Sequence, residues 1–147
     1  MKYTRFEELP VWNAGIDLAN KVFRFVEDKS FDYQGDLRKQ FGKAALSVPN
    51  NIAEGFERST TKELINFLYI ARGSAGEVRS MLHVVARNER YAKLDSQRKE
   101  LHELVESISR QLKGWIDSLE NKRRRETVQR VAMALLFVGT VFTGLAL

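Results

Sequence analysis

The sequence predicts an all-α protein, an antiparallel up-down-up-down four-helix bundle with an additional apolar helix at its C-terminus. Its 147 residues include only two prolines and nine glycines, the residues that most often interrupt helices. Apolar residues recur three and four positions apart in four long segments, which places them on one face of an α-helix. Since each such face must be buried, four amphipathic helices with short connections favour a bundle.

The first two predicted helices carry the two prolines. Pro10 lies at the start of the first helix, a position that tolerates proline. Pro49 lies inside the second helix, predicted over about residues 33–54 with Gly55 as a left-handed cap at its end. A proline inside a helix removes a backbone hydrogen bond at a cost of about 3 kcal/mol or more. We therefore expect residues 43–55 to serve a specific packing or binding geometry.

The third and fourth predicted helices have clear starts. Thr60 is followed three residues later by Glu63, which is the capping-box pattern, and Asp95 caps the fourth helix. Small residues at positions 71 and 73–76 form the centre of the third helix, so we expect another backbone to approach it closely. Its apolar stripe alternates spacings of four and three: Leu64, Leu68, Ala71, Ala75, Val78, Leu82 and Val85.

The C-terminal segment differs in composition from the rest of the chain. Residues 131–147 carry no charge and follow a basic cluster. The cluster consists of Lys122, Arg123, Arg124 and Arg125. Roughly 20 apolar residues span a bilayer, and basic residues flank its cytoplasmic side. We therefore predict a cytoplasmic bundle over residues 1–121, a basic linker over 122–130 and an apolar helix over 131–147 that anchors the protein to the inner membrane. The alternative is a fifth helix buried in the bundle or in an oligomer interface.

Charge and composition argue against several classes of function. The net charge is +5, but residues 122–147 hold five basic residues and one acidic residue, so the predicted bundle is nearly neutral. Charge alone therefore does not favour nucleic acid. The chain has no cysteine, which excludes disulfides and thiol chemistry. Neither His83 nor His102 follows a glutamate by three positions, the spacing used in di-iron bundles. We predict no enzymatic activity, no metal and no cofactor.

Polar side chains cluster around Pro49 and at the centre of the third helix. They are Ser47, Asn50, Asn51, Glu54, Arg72, Ser74 and Glu77. One interpretation is a structural network that satisfies the carbonyl freed by Pro49 and sets the helix register, because buried polar groups need partners. The other interpretation is a groove for a polar ligand or partner. The structural interpretation is favoured.

Basic side chains on the second and third helices are candidate nucleic-acid contacts. They are Arg38, Lys39 and Lys43 on one helix, and Arg72 and Arg79 on the next. A symmetric ring would repeat such a patch and build a strong electrostatic surface from modest charges. The alternative is an ordinary solvated helix face.

Three blocks of sequence resemble one known family. They are VWNA at residues 11–14, a run at residues 40–55 that contains AALSVPNNIAEG, and NFLYIARGSAGE at residues 66–77. Over about residues 3–120 the chain is similar to the bacterial four-helix-bundle proteins named after 23S rRNA intervening sequences. The resemblance implies a homo-oligomeric ring, typically a pentamer. It also implies kinship with the accessory variability determinant of diversity-generating retroelements, which partners a reverse transcriptase and binds nucleic acid.

Taken together, these features predict a non-catalytic oligomeric bundle that acts as a nucleic-acid-associated accessory or scaffold protein. Its candidate partners are RNA, DNA and a reverse transcriptase or another protein. The alternative is a membrane-tethered protein-interaction scaffold that binds no nucleic acid.

Overall fold

Four α-helices make up most of the chain in the computed structural model, which describes the backbone of residues 3–144 and the side chains of residues 3–135. The helices are α1 (Pro10–Val26), α2 (Gly35–Glu57), α3 (Thr61–Ala86) and α4 (Asp95–Gly144). Short 3-10 turns at Phe6–Glu8, Lys29–Phe31 and Glu89–Leu94 precede α1, α2 and α4. No strand occurs among residues 3–144. The prediction of an all-α protein is therefore confirmed.

Local signals at the helix starts largely explain where the helices begin. Pro10 is the first residue of α1, and the Thr60 hydroxyl accepts the backbone N–H of Glu63 at 3.2 Å at the start of α3. Asp95 is itself the first residue of α4, one position later than expected for a cap. Its carboxylate accepts a hydrogen bond of 2.6 Å from Arg98 Nη2.

The ends of α2 lie two to three residues from the predicted ones, and the predicted left-handed cap at Gly55 is wrong. Tyr33 precedes the helix and has a φ of 67°, which is left-handed backbone, and α2 continues past Gly55 to Glu57. Gly55 has an ordinary negative φ and is buried. Its role is steric, because a Cβ at this position would lie 2.7 Å from the Cβ of Phe67 on α3. Gly55 therefore allows α2 and α3 to approach closely.

Each helix packs against two others, in the pairs α1–α2, α2–α3, α3–α4 and α1–α4. Between consecutive helices, residues late in one helix contact residues early in the next, and residues early in the first contact residues late in the second. In α1 and α2, for example, the Phe25 and Phe41 rings lie 6.0 Å apart, while Gly15 faces Pro49. All seven residues of the predicted α3 stripe are buried in the common core. The core thus encloses one complete face of α3 and leaves its remaining surface to line grooves.

The C-terminal half of α4 extends beyond the core. The helix has 50 residues, about 75 Å at 1.5 Å per residue, and it does not break at the predicted linker. All side chains of residues 120–135 are exposed, so residues 131–135 do not pack in the bundle as a fifth helix. Side chains from 136 onward, most of the predicted anchor, lie outside the described residues. Within the described part of the chain no helix is long and apolar enough to cross a membrane, and the predicted anchor is therefore not supported.

Candidate nucleic-acid interface

Two surface grooves lie on either side of α3. The α2–α3 groove has a volume of about 690 Å³ and includes Lys43, Ser47, Ile70, Ser74, Glu77 and Met81. The α3–α4 groove has a volume of about 780 Å³ and includes Arg72, Gly73, Arg79, Arg110, Lys113 and Gly114. The predicted polar set is therefore divided, because Arg72 opens into a different groove from Ser47, Ser74 and Glu77. Successive helix residues are about 100° apart, so positions 72 and 74 point to opposite sides of α3.

Three of the predicted polar residues form a hydrogen-bond network in the α2–α3 groove. The hydroxyl oxygens of Ser47 and Ser74 lie 2.9 Å apart and join the two helices. Asn51 Nδ2 donates to the Ser47 carbonyl at 2.7 Å and to the Ser47 hydroxyl at 2.9 Å. Ser74 also donates to the Ile70 carbonyl at 3.1 Å. This arrangement ties α2 to α3 at the level of their small residues.

Pro49 faces away from this network. It is buried against α1, where a Cβ added to Gly15 would lie 3.3 Å from the Pro49 Cβ. The carbonyl that Pro49 leaves without its helical donor belongs to Ala45, four residues earlier. Asn51 donates to the Ser47 carbonyl instead. Pro49 thus contributes to packing between α1 and α2, while the polar network fastens α2 to α3.

Glu54 and Asn50 lie outside the network. Glu54 forms an ion pair with Arg58, and the Arg58 guanidinium lies 5.3 Å from the centre of the Phe67 ring. Asn50 is exposed. Glu54 thus pairs within α2, whereas Arg72 lines the α3–α4 groove.

The α3–α4 groove is basic. On α4, Arg110 Nη1 lies 3.8 Å from a Glu106 carboxylate oxygen, and Lys113 Nζ lies 2.6 Å from Asp117 Oδ1. On α3, Arg72 and Arg79 are half-buried, and no carboxylate among the residues with described side chains lies within ion-pair distance of either one. Two guanidinium groups of this groove are thus available to an anion.

Aromatic and glycine residues shape the same groove. Tyr69 lies on its wall with 45% of its surface exposed, and its hydroxyl donates to Glu120 Oε1 at 2.9 Å. That hydrogen bond raises the pKa of the Tyr69 phenol. A Cβ added to Gly73 or Gly114 would meet no atom within 4 Å. The predicted close approach at Gly73 and Gly76 is therefore wrong within this chain, since both positions face open space.

The other predicted nucleic-acid contacts lie elsewhere. Arg38 Nε donates to the Val26 carbonyl at 2.7 Å, which joins α2 to the end of α1. Lys39 is exposed on α2, and Lys43 lines the α2–α3 groove. Sequence reasoning missed Tyr69, Arg110 and Lys113. The sequence signal for them was a glycine inside each of two amphipathic helices, Gly73 and Gly114. Neither glycine belongs to the apolar stripe of its helix.

The two histidines, although distant in sequence, are in contact. The ring centres of His83 on α3 and His102 on α4 lie 5.1 Å apart. His102 Nε2 is buried and has no hydrogen-bond partner among the described residues. Within that part of the chain no group of three or more potential metal ligands is found.

The fold and the groove define a small all-helical protein with a basic surface between two of its helices. The chain matches the family model described as "23S rRNA-intervening sequence protein" over residues 7–114, and it belongs to that family. A similar solved structure is that of a protein with unknown function from the S23 ribosomal protein family of Bacteroides thetaiotaomicron VPI-5482. It shares 23% sequence identity over 67% of this chain and 97% of that chain, with a TM-score of 0.47. No curated protein matches the chain at a significant level.

Proposed function

We propose that this protein is a non-catalytic nucleic-acid-associated binding protein that contacts phosphates through the α3–α4 groove. We also propose that its four helices form an antiparallel up-down-up-down bundle. The observation that carries the proposal is the presence of Arg72 and Arg79 without carboxylate partners, beside Arg110 and Lys113. Guanidinium groups recognise phosphate through paired, charge-assisted hydrogen bonds.

The ion pairs already present in the groove do not prevent this use. The Arg110–Glu106 separation of 3.8 Å is long, and an exposed ion pair typically contributes only about 0–1 kcal/mol. Arg110 can therefore exchange its partner for a phosphate at little cost. Glu106 and Asp117 limit the net positive charge of the groove, so we expect few phosphate contacts and an affinity that falls with salt in proportion to their number.

The proposal is tested by two double variants that each remove two positive charges. R72A/R79A removes the groove guanidinium groups, whereas the control K39A/K43A removes basic residues of α2. Fluorescence anisotropy with a labelled single-stranded RNA, over a range of salt concentrations, measures affinity. We expect R72A/R79A to weaken binding about 100-fold or more, since each of the two arginines loses a hydrogen bond to a charged group that contributes about 1.5 kcal/mol or more.

The salt dependence provides a second readout. Loss of two phosphate contacts should lower the slope of log affinity against log salt by roughly 1.4, at about 0.7 per contact for single strands. K39A/K43A should leave the affinity close to that of the unchanged protein. Equal losses in the two variants, or no binding by the unchanged protein at low salt, would refute the proposal.

Assembly into a homo-oligomeric ring is the second part of the proposal. Two large apolar side chains, Leu46 on α2 and Ile70 on α3, are 43% and 50% exposed, and association would remove them from water. Family membership favours a pentamer. Light scattering coupled to size-exclusion chromatography should give about five times the subunit mass of 16.9 kDa, and a monomer mass at high concentration would refute it.

A further inference from the structure

We infer that the α3–α4 groove binds single-stranded rather than double-stranded nucleic acid, with one base stacked on Tyr69, an inference that rests on the function proposed above. Tyr69 is the aromatic side chain of the groove wall. Aromatic rings bind bases of any sequence through their faces, and stacking of this kind typically contributes a large part of single-strand affinity.

The Tyr69 ring is held in place before any ligand binds. Its hydroxyl donates to Glu120 across the groove, at 2.9 Å, so the side chain is fixed at its far end by α4. Nearly half of the residue nevertheless remains exposed. A ring that is already oriented loses little conformational freedom when a base stacks on it.

The space beside the ring is open because glycines line it. Gly73 lies one turn after Tyr69, and helix side chains lean toward the N-terminus, so a larger residue at 73 would lean over the Tyr69 position. A Cβ at Gly73 meets nothing within 4 Å, and the same holds for Gly114 on α4. The groove therefore has room for a flat base at this level.

Charge then orients the strand along the groove. Near Tyr69 the groove carries the carboxylates of Asp117, which is paired with Lys113, and of Glu120, so this end has less net positive charge than the arginine side and suits an uncharged base better than a phosphate. Arg72 and Arg79 are seven residues apart, about 10 Å along the helix axis, so they can contact different phosphates of one strand. The backbone of the strand is thus expected on the arginine side and the base on Tyr69.

A duplex does not satisfy this geometry. Neighbouring helix axes are typically about 8–10 Å apart, and the groove between them is too narrow for a double helix to enter. The bases of a duplex are also paired and stacked, so none can reach a ring on the groove wall unless it is flipped out. Phosphates of a duplex would contact only the rim of the groove.

The test compares one RNA sequence as a single strand and as a duplex, by anisotropy. Y69L removes the ring and keeps an apolar side chain, while the control Y69F keeps the ring and loses only the bond to Glu120. We expect the unchanged protein to prefer the single strand, and Y69L to bind it about 5- to 100-fold more weakly. Y69F should retain most of the affinity, and duplex binding should change in neither variant.

A second pair of variants tests the open space. G73Q places a side chain in the groove, whereas its control G76Q adds the same side chain where a Cβ also meets nothing within 4 Å, outside the groove lining. Only G73Q should weaken single-strand binding. Equal binding of the single strand by Y69L and the unchanged protein, or tighter binding of the duplex, would overturn the inference.

The outcomes separate this inference from the proposed function. If R72A/R79A weakens binding and Y69L does not, the phosphate-binding groove stands and base stacking on Tyr69 is rejected. If the unchanged protein binds neither probe at low salt, both are rejected. The salt slope adds a further distinction, because Y69L removes no phosphate contact and should leave it unchanged.

Discussion

Substituting alanine for individual glycines should change stability in opposite directions, depending on which glycine is replaced. Gly55, Gly73 and Gly114 all lie within helices, where alanine is favoured over glycine by about 0.8–1.0 kcal/mol. The surroundings of the added methyl group differ. At Gly73 and Gly114 it meets no atom within 4 Å, whereas at Gly55 it would lie 2.7 Å from the Cβ of Phe67 and 3.3 Å from the carbonyl oxygen of Leu64.

These distances give the sign and size of each effect. G73A and G114A should each raise the free energy of unfolding by about 1 kcal/mol, and together by about 2 kcal/mol if their effects add. For a chain of this length that corresponds to a rise of about 4–8 °C in Tm. The Phe67 Cβ is fixed to the backbone, so G55A must push α3 away from α2. Overpacking costs about 1–3 kcal/mol, and a 2.7 Å contact between two carbons fixed to backbones belongs in the upper part of that range, about 2–3 kcal/mol. After subtraction of the alanine preference of about 1 kcal/mol, we expect a net loss of stability of about 1–2 kcal/mol.

Thermal and urea unfolding followed by far-ultraviolet circular dichroism would measure these differences, at two protein concentrations to separate folding from assembly. G55A that is as stable as the unchanged protein would refute the close approach of α2 and α3. G73A that is destabilised at both concentrations would show that its methyl group meets a neighbour, contrary to the open groove.

Three further substitutions test individual contacts. The pKa of Asp28 is lowered to about 2 because its carboxylate accepts the Ser30 backbone N–H and pairs with Lys93. The contribution of this carboxylate to the free energy of unfolding should be present above about pH 4 and lost as the pH falls toward 2. The stability difference between D28N and the unchanged protein, measured by urea unfolding, should therefore shrink over that range. A constant difference would contradict this. H102L removes the buried Nε2 that lacks a partner and should raise the free energy of unfolding by about 1 kcal/mol. The control H83A leaves that atom in place and should not raise it. A loss of stability in H102L would count against this reasoning. Y33G relieves a φ of 67° at a residue that is 99% exposed and should stabilise the protein by up to about 1 kcal/mol in the same assay. The control Y33A should leave the stability nearly unchanged. Equal stabilities of the two variants would argue against backbone strain at this site.

Much of the fold was accessible from the sequence because its signals are local. The capping pattern of Thr60 and Glu63 marks the start of α3 within a few residues, and the seven-residue stripe identifies its buried face. The end of α2 was not accessible in the same way. Glycine is common at helix ends, so the sequence suggested a cap at Gly55. The structure shows that Gly55 instead makes room for Phe67, which belongs to another helix.

The candidate site was predicted only in part because it is formed between helices. Arg72 and Arg79 were recognised as basic residues, and the structure places both in the α3–α4 groove. Their neighbours Arg110 and Lys113 on α4 depend on how α4 is rotated against α3, and the sequence marks that contact only through a glycine on each helix, Gly73 and Gly114. The opposite directions of positions 72 and 74, by contrast, follow from helix geometry alone.

The length of α4 has a mechanical consequence. The same helix forms one wall of the basic groove, through residues 110–114, and continues without a break to Gly144. From Glu120 onward it is a lever of about 36 Å, at 1.5 Å per residue. A tilt of about 5° at the groove would move the tip of this lever by about 3 Å, so a ligand that widens or narrows the groove also redirects the end of the helix.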